Sequence, residues 1–149
     1  MRRYTKKNMR AVDTKVLVRL VTRDDRKQVA AAESFVSKVA WVSTLVLMEA
    51  TWVLTAVYDL THAEIARAID MLLHYRDLTI QESDSMAAAL EQYRNRPALG
   101  FSGCLILETA RKAGHLPLGT FDRNLSNPTE PKDCSCIPVG PSGKVSCPP

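Results

Sequence analysis

Three acidic side chains occupy positions where an acid needs a reason. Asp13 follows the apolar pair Ala11-Val12, and Asp122 follows a second apolar stretch that ends in Thr120-Phe121. Glu49 is the lone acid of a long apolar segment, between Leu47-Met48 and Trp52-Val53. Carboxylates gathered in an apolar setting repel one another and lose hydration, so they persist when they share a cation. An oxygen-only donor set, without His or Cys, suits Mg²⁺ or Mn²⁺. A metal held in that way can activate water and stabilise charge on a phosphodiester. The competing interpretation is that Asp13 and Asp122 cap helices or turns while Glu49 faces solvent. The residues by themselves leave both open.

The elements that would position these acids are legible from periodicity. Residues 9–12 read as a short strand, and Val16, Leu17, Leu20 and Val21 then fall on one helix face. Asp24-Asp25 offers an N-cap for a second helix through about Ser37, with Val29, Ala32, Phe35 and Val36 inward. A strand is predicted over 40–42, and a long apolar helix capped by Ser43 or Thr44 over 45–58. Thr61-His62-Ala63-Glu64 is a capping box that opens a helix with Ile65, Ile69, Leu72 and Leu73 on one face. A third strand falls at 78–80, and Ser83 or Asp84 starts a helix to about Asn95. Pro97 and Gly100 mark a loop, 101–113 is helical, Gly114 ends that helix, and 116–120 is the last strand. Short apolar strands that alternate with helices argue for an α/β fold with a central parallel sheet and helices on both faces. Sites in such sheets form beyond the carboxyl ends of the strands, where Asp13 and Asp122 both fall.

At 149 residues the chain is of single-domain size, with 46% hydrophobic and 24% charged residues. No apolar run approaches the roughly 20 residues of a membrane span. The basic start MRRYTKKNMR has no apolar stretch behind it, so no secretory signal is expected and a cytoplasmic location is. The net charge of +4 is concentrated in Arg2, Arg3, Lys6, Lys7 and Arg10, which leaves the remainder close to neutral. Residues 1–8 thus read as a basic extension, either a nucleic-acid contact or a solvated leader before Met9. Residues 9–125 read as the folded domain. Residues 126–149 hold six of the eight prolines and no periodic pattern, and are expected to be a disordered tail. Cys104 lies in an apolar segment and reads as core, whereas Cys134, Cys136 and Cys147 lack the paired spacing of a zinc site.

The residues also carry a resemblance. Ala-Val-Asp13-Thr14-Lys15-Val-Leu-Val-Arg-Leu resembles the opening of VapC-like PIN-domain proteins, the toxins of type II toxin–antitoxin systems. Val-Ser-Thr-Leu-Val-Leu-Met-Glu49-Ala-Thr-Trp-Val-Leu, Gly100-Phe-Ser-Gly103-Cys-Leu-Ile-Leu and Leu-Pro-Leu-Gly-Thr120-Phe121-Asp122-Arg123 are similar to three further segments, in the family's order. The resemblance implies a three-layer α/β/α PIN-like fold and metal-dependent cleavage of RNA. Carried over by position, it makes Asp13 the central ligand of Mg²⁺ (or Mn²⁺). Glu49 would be a ligand directly or through water, and Asp122 would complete the rim. Thr14 or Thr120 would hydrogen-bond a carboxylate or a metal-bound water. It further implies an RNA substrate, a cognate antitoxin protein as partner, and a homodimer formed through helices.

Three departures bear on that activity. The family places an aspartate where this chain has Gly103, which removes one charge and one oxygen from the cage. It places an asparagine where this chain has Lys15. An ammonium about 4 Å from a carboxylate is worth about 4 kcal/mol at an effective dielectric near 20, before desolvation, and would compete with a metal; alternatively Lys15 snorkels to solvent. The family also continues past the last aspartate into a further helix or strand, whereas here a Pro-rich tail follows Leu125. Two functions are therefore expected in competition: a ribonuclease with weakened or lost activity, and a catalytically inactive PIN-fold protein that binds an antitoxin or nucleic acid. A phospho-acceptor receiver domain also sets acids at strand ends. It needs a lysine after a late strand, where this chain has Thr120-Phe121-Asp122.

Overall fold

Three short strands pair in parallel: β1 (Arg10–Ala11), β2 (Ala40–Val42) and β3 (Leu78–Ile80), in the order β1-β2-β3. Ala11 stands opposite Trp41, and Trp41 opposite Thr79. Successive side chains point to opposite faces of a strand, so one face presents Ala40, Val42, Leu78 and Ile80, all buried. The other face presents Trp41 and Thr79, both half-buried. This computed structural model describes residues 8–126 and 136–139. The chain divides into two compact units, Met1–Ala87 and Ala88–Pro149.

In the first unit the sheet is joined by α1 (Thr14–Thr22), α2 (Arg26–Val36), α3 (Thr44–Ala56) and α4 (His62–Leu73). α1 packs on α2 and α3, and α4 packs on α3 and β3. Leu17, Val36, Leu47, Leu54, Ile65, Ile69 and Leu72 are almost wholly enclosed. The helix starts follow the side chains that cap them. The Asp25 carboxylate accepts from Gln28 N at 3.0 Å, and Ser43 Oγ accepts from Val46 N at 3.2 Å. Thr61 and Glu64 form the reciprocal capping box. Asp24 does not cap; it accepts from Arg19 at 2.8 Å and Thr22 at 2.9 Å, and also from Tyr58. Its carboxyl is held below the ordinary aspartate range, chiefly by the Thr22 hydroxyl. Val39 turns the chain from α2 into β2 at φ 60°, a left-handed conformation that β-branched residues rarely adopt.

α5 (Ser83–Asn95) runs across the boundary between the units. The second unit continues with α6 (Phe101–Ala113), β4 (Leu118–Thr120), α7 (Arg123–Ser126) and β5 (Cys136–Pro138). Gly114 closes α6 in the left-handed conformation, at φ 81°. Tyr93 and Phe101 meet edge to face with centroids 5.9 Å apart. The largely buried Glu108 accepts from Gln92 and faces Arg111 at 3.4 Å.

Two expectations are corrected here. β4 is hydrogen-bonded to β5 in a separate two-stranded parallel sheet, not placed among β1, β2 and β3. Residues 136–138, assigned to a disordered tail from composition, form that strand. Val139 N donates to Thr120 O at 2.9 Å, which continues the pairing past Pro138. Gly119 permits the approach: a Cβ there would stand 3.1 Å from the Val139 side chain. The remainder of the proline-rich segment (127–135 and 140–149), residues 1–7 of the basic extension, and Cys134 and Cys147 lie outside the described residues.

Candidate functional site

Asp13 directly precedes α1 as its N-cap, with extended backbone at φ −90° and ψ 162°. Its side chain makes no capping hydrogen bond, so the exposed carboxylate is not spent on the helix end. Thr14, the first residue of α1, is buried, and its Oγ1 donates to Glu49 Oε2 at 2.8 Å. The packing of α1 on α3 makes that bond possible between residues 35 positions apart. The structure therefore brings Thr14 and Glu49 together, with Asp13 adjacent in the chain and Lys15 exposed beside it. A hydroxyl that donates to one carboxylate oxygen restrains the rotamer of an otherwise exposed glutamate and leaves the second oxygen out of that bond.

In the second unit Asp122 is exposed, and its Oδ1 accepts from Asn124 N at 2.9 Å and Leu125 N at 3.4 Å. It caps α7, the use that composition alone left open. Thr120 Oγ1 accepts from the Asp122 backbone N at 3.0 Å, so it supports that turn and not a carboxylate. Gly103 is the third residue of α6. A Cβ built there would meet the two terminal carbons of Leu125 at 3.8 and 3.9 Å, an ordinary contact. Leu125 is thus the near neighbour of the position where the resemblance calls for an acid. Sequence reasoning missed it, because nothing in Arg123-Asn124-Leu125 signals a contact back to α6. Cys104 is fully enclosed, and burial pushes its thiol up to about 11, which suits an inert core residue.

Asp13 and Glu49 are the oxygen donors that a hard divalent cation takes. Among the described residues, however, no group of three or more His, Cys, Asp or Glu stands close enough to hold a metal ion.

Compared with known protein families, residues 10–130 match the PIN domain. The chain belongs to the PIN domain family. No curated protein and no solved structure matches it significantly. PIN domains are in general nucleases that use divalent metal ions, and the α/β elements with parallel strand pairing are those of the three-layer α/β/α PIN fold. No helix among the described residues is long and apolar enough to cross a membrane.

Proposed function

We propose that this PIN domain is a toxin-type ribonuclease whose Mg²⁺- or Mn²⁺-dependent hydrolysis of RNA is weakened by Gly103 and Lys15. The hydrogen bond from buried Thr14 to Glu49, beside an uncommitted Asp13 carboxylate, carries the reading. A pair of helices that only packed would not need a buried hydroxyl aimed at an exposed acid. In this proposal Asp13 and Glu49 are the principal acids, Thr14 positions Glu49, and Asp122 with Thr120 contributes through the turn before α7. The proposed partners are RNA and a cognate antitoxin. The antitoxin is proposed to lie across the acidic site and to set an arginine among its carboxylates. The chain is proposed to act in the cytoplasm and to form a homodimer through helices.

A second reading, a PIN-fold protein that binds an antitoxin or nucleic acid without cleaving, is favoured by two observations: Leu125 faces Gly103, and Lys15 adjoins Asp13. One experiment separates the two. Mn²⁺ is titrated calorimetrically into the parent, Gly103→Asp, Lys15→Asn and the double variant, and RNA cleavage is assayed alongside. Gly103→Asp is expected to raise Mn²⁺ affinity by about ten- to a hundredfold, the range over which changes around a metal act. Lys15→Asn is expected to raise it as well, because it removes a cation next to Asp13 in the chain. Cleavage should rise in parallel. Gains in Mn²⁺ affinity without any cleavage would favour the binding protein. Equal, tight binding and equal cleavage in all four would show that Gly103 is no defect.

A further inference from the structure

Among the described residues, Trp41 and Thr79 lie on the half-buried face of the first sheet. That face opens into a cavity of about 440 Å³ lined by Met9, Trp41, Thr79, Ile80, Gln81 and Glu82. That volume lies within the range of small-molecule sites. The lining is mixed: an indole, a thioether and an isoleucine together with a hydroxyl, a carboxamide and a carboxylate. We propose that this cavity binds an unpaired purine base of an RNA strand, stacked on Trp41.

Four observations carry the proposal. First, Trp41 is held in the middle strand of the sheet by pairing on both sides, which fixes the backbone from which its half-buried indole projects. Aromatic platforms take nucleobases because every base has a π face, and a bicyclic purine covers more of an indole than a pyrimidine does. Second, Gln81 is oriented. Its Oε1 accepts from Thr44 N at 3.0 Å, and its own N–H donates to Val42 O at 2.8 Å. The carboxamide is thereby fixed with its Nε2 hydrogens available as donors to a ring nitrogen or exocyclic oxygen. Third, among the described residues the lining holds no Lys or Arg, and the ionisable side chain it does hold is the acid Glu82. A phosphate is disfavoured there, whereas a neutral base with N–H groups is not. Fourth, the turn after β3 is held in the left-handed region at Glu82, φ 52°, although Glu has a Cβ. Strain of this kind is retained where it shapes a site.

The proposal rests on the reading of the chain as an RNA-directed PIN domain, and its test keeps the two apart. The chain has two tryptophans. In the full-length Trp52→Phe variant Trp41 is therefore the sole indole reporter. Guanosine and adenosine are titrated against its fluorescence, with inorganic phosphate and ribose as controls. Binding of a labelled single-stranded oligoribonucleotide is followed by anisotropy. Saturable quenching by the purine nucleosides, absent with phosphate and ribose, is the expected result. Thr79→Phe, which fills the cavity and leaves Trp41 in place, should abolish the quenching. Trp41→Leu should weaken oligoribonucleotide binding by about tenfold, the scale of one lost stacked base. Quenching that persists undiminished in Thr79→Phe overturns the proposal. So does oligoribonucleotide binding that neither quenches Trp41 nor changes in Trp41→Leu, a result that would leave the RNA reading intact. Purine quenching without any RNA binding would support the pocket and count against the RNA reading.

Discussion

The bond between Thr14 and Glu49 shows how one residue type at one position decides what an acid can do. Valine has nearly the same shape as threonine, would fill the same buried space, and would leave Glu49 free to rotate. Thr14→Val should therefore lower RNA cleavage while changing thermal stability little, because the lost bond is to an exposed carboxylate and contributes only about 1 kcal/mol. Equal cleavage by parent and variant would remove Thr14 from the site. Gly103 gives a second test at this scale. It sits in a helix, where glycine costs roughly 0.5–1 kcal/mol relative to alanine, and a Cβ there meets Leu125 only at ordinary contact distance. Gly103→Ala should raise Tm by a few degrees, about 2–4 °C per kcal/mol at this size; a fall would mean that the Leu125 side chain packs too closely to yield. The candidate acids stand out in sequence, because an acid in an apolar run is conspicuous; the structure adds the bond that ties Glu49 to Thr14. Whether Asp122 caps a helix or binds a ligand is left open by the sequence, since a capping aspartate and a ligating one have the same sequence neighbours; in the structure it caps α7.

Elements were legible where a cap or a period marks them. The strands at 40–42 and 78–80 and the helix at 101–113 fall at the predicted bounds, and the Thr61–Glu64 box forms as its spacing requires. β5 was not legible: three residues ending in proline, with no alternation, form a strand only because β4 offers an edge and Gly119 leaves room for Val139. Local propensity cannot report an opportunity that another segment creates. The capping box also has a pH signature. Glu64 Oε2 accepts from Thr61 N at 2.7 Å, and that backbone bond, ahead of the Thr61 hydroxyl, holds the Glu64 carboxyl below the ordinary glutamate range. A depressed folded value means that the contribution is present at neutral pH. It begins to fade as pH falls into the ordinary glutamate range and is lost through the lower folded value. The stability difference between the parent and Glu64→Ala should therefore be largest near neutrality and shrink with acidification, as read by thermal melts across the acid range. A constant difference would place the contribution in helix propensity instead.

At the scale of the whole molecule the feature least expected of a lone copy is the outward face of α3. Leu45 is 78% exposed and Trp52 66% exposed, seven residues apart on the same side of the helix, with half-buried Met48 between them. Helix α3 is apolar nearly all round, as the sequence already shows. What sequence could not show is which side stays uncovered, because periodicity identifies an inward face only when the opposite face is polar. A second copy is the occupant that fits the proposed homodimer: in a two-fold dimer the same patch meets itself, and no other surface is needed. Fully burying a large apolar side chain contributes about 1.5–3 kcal/mol, and a two-fold contact counts each one twice, so Leu45 and Trp52 would form much of the centre of such an interface. Glu49 lies four residues after Leu45 and three before Trp52, on the same face. Self-association through this face would thus narrow access to the acid that Thr14 holds, and the monomer should be the more open form. Sedimentation equilibrium of the parent chain is expected to show a dimer at micromolar concentrations. Trp52→Glu should shift it to a folded monomer with an unchanged far-UV spectrum, because an exposed side chain bears little on the core. A parent that remains monomeric over that range, or a Trp52→Glu variant that stays dimeric, would show that the α3 face is not where two copies meet.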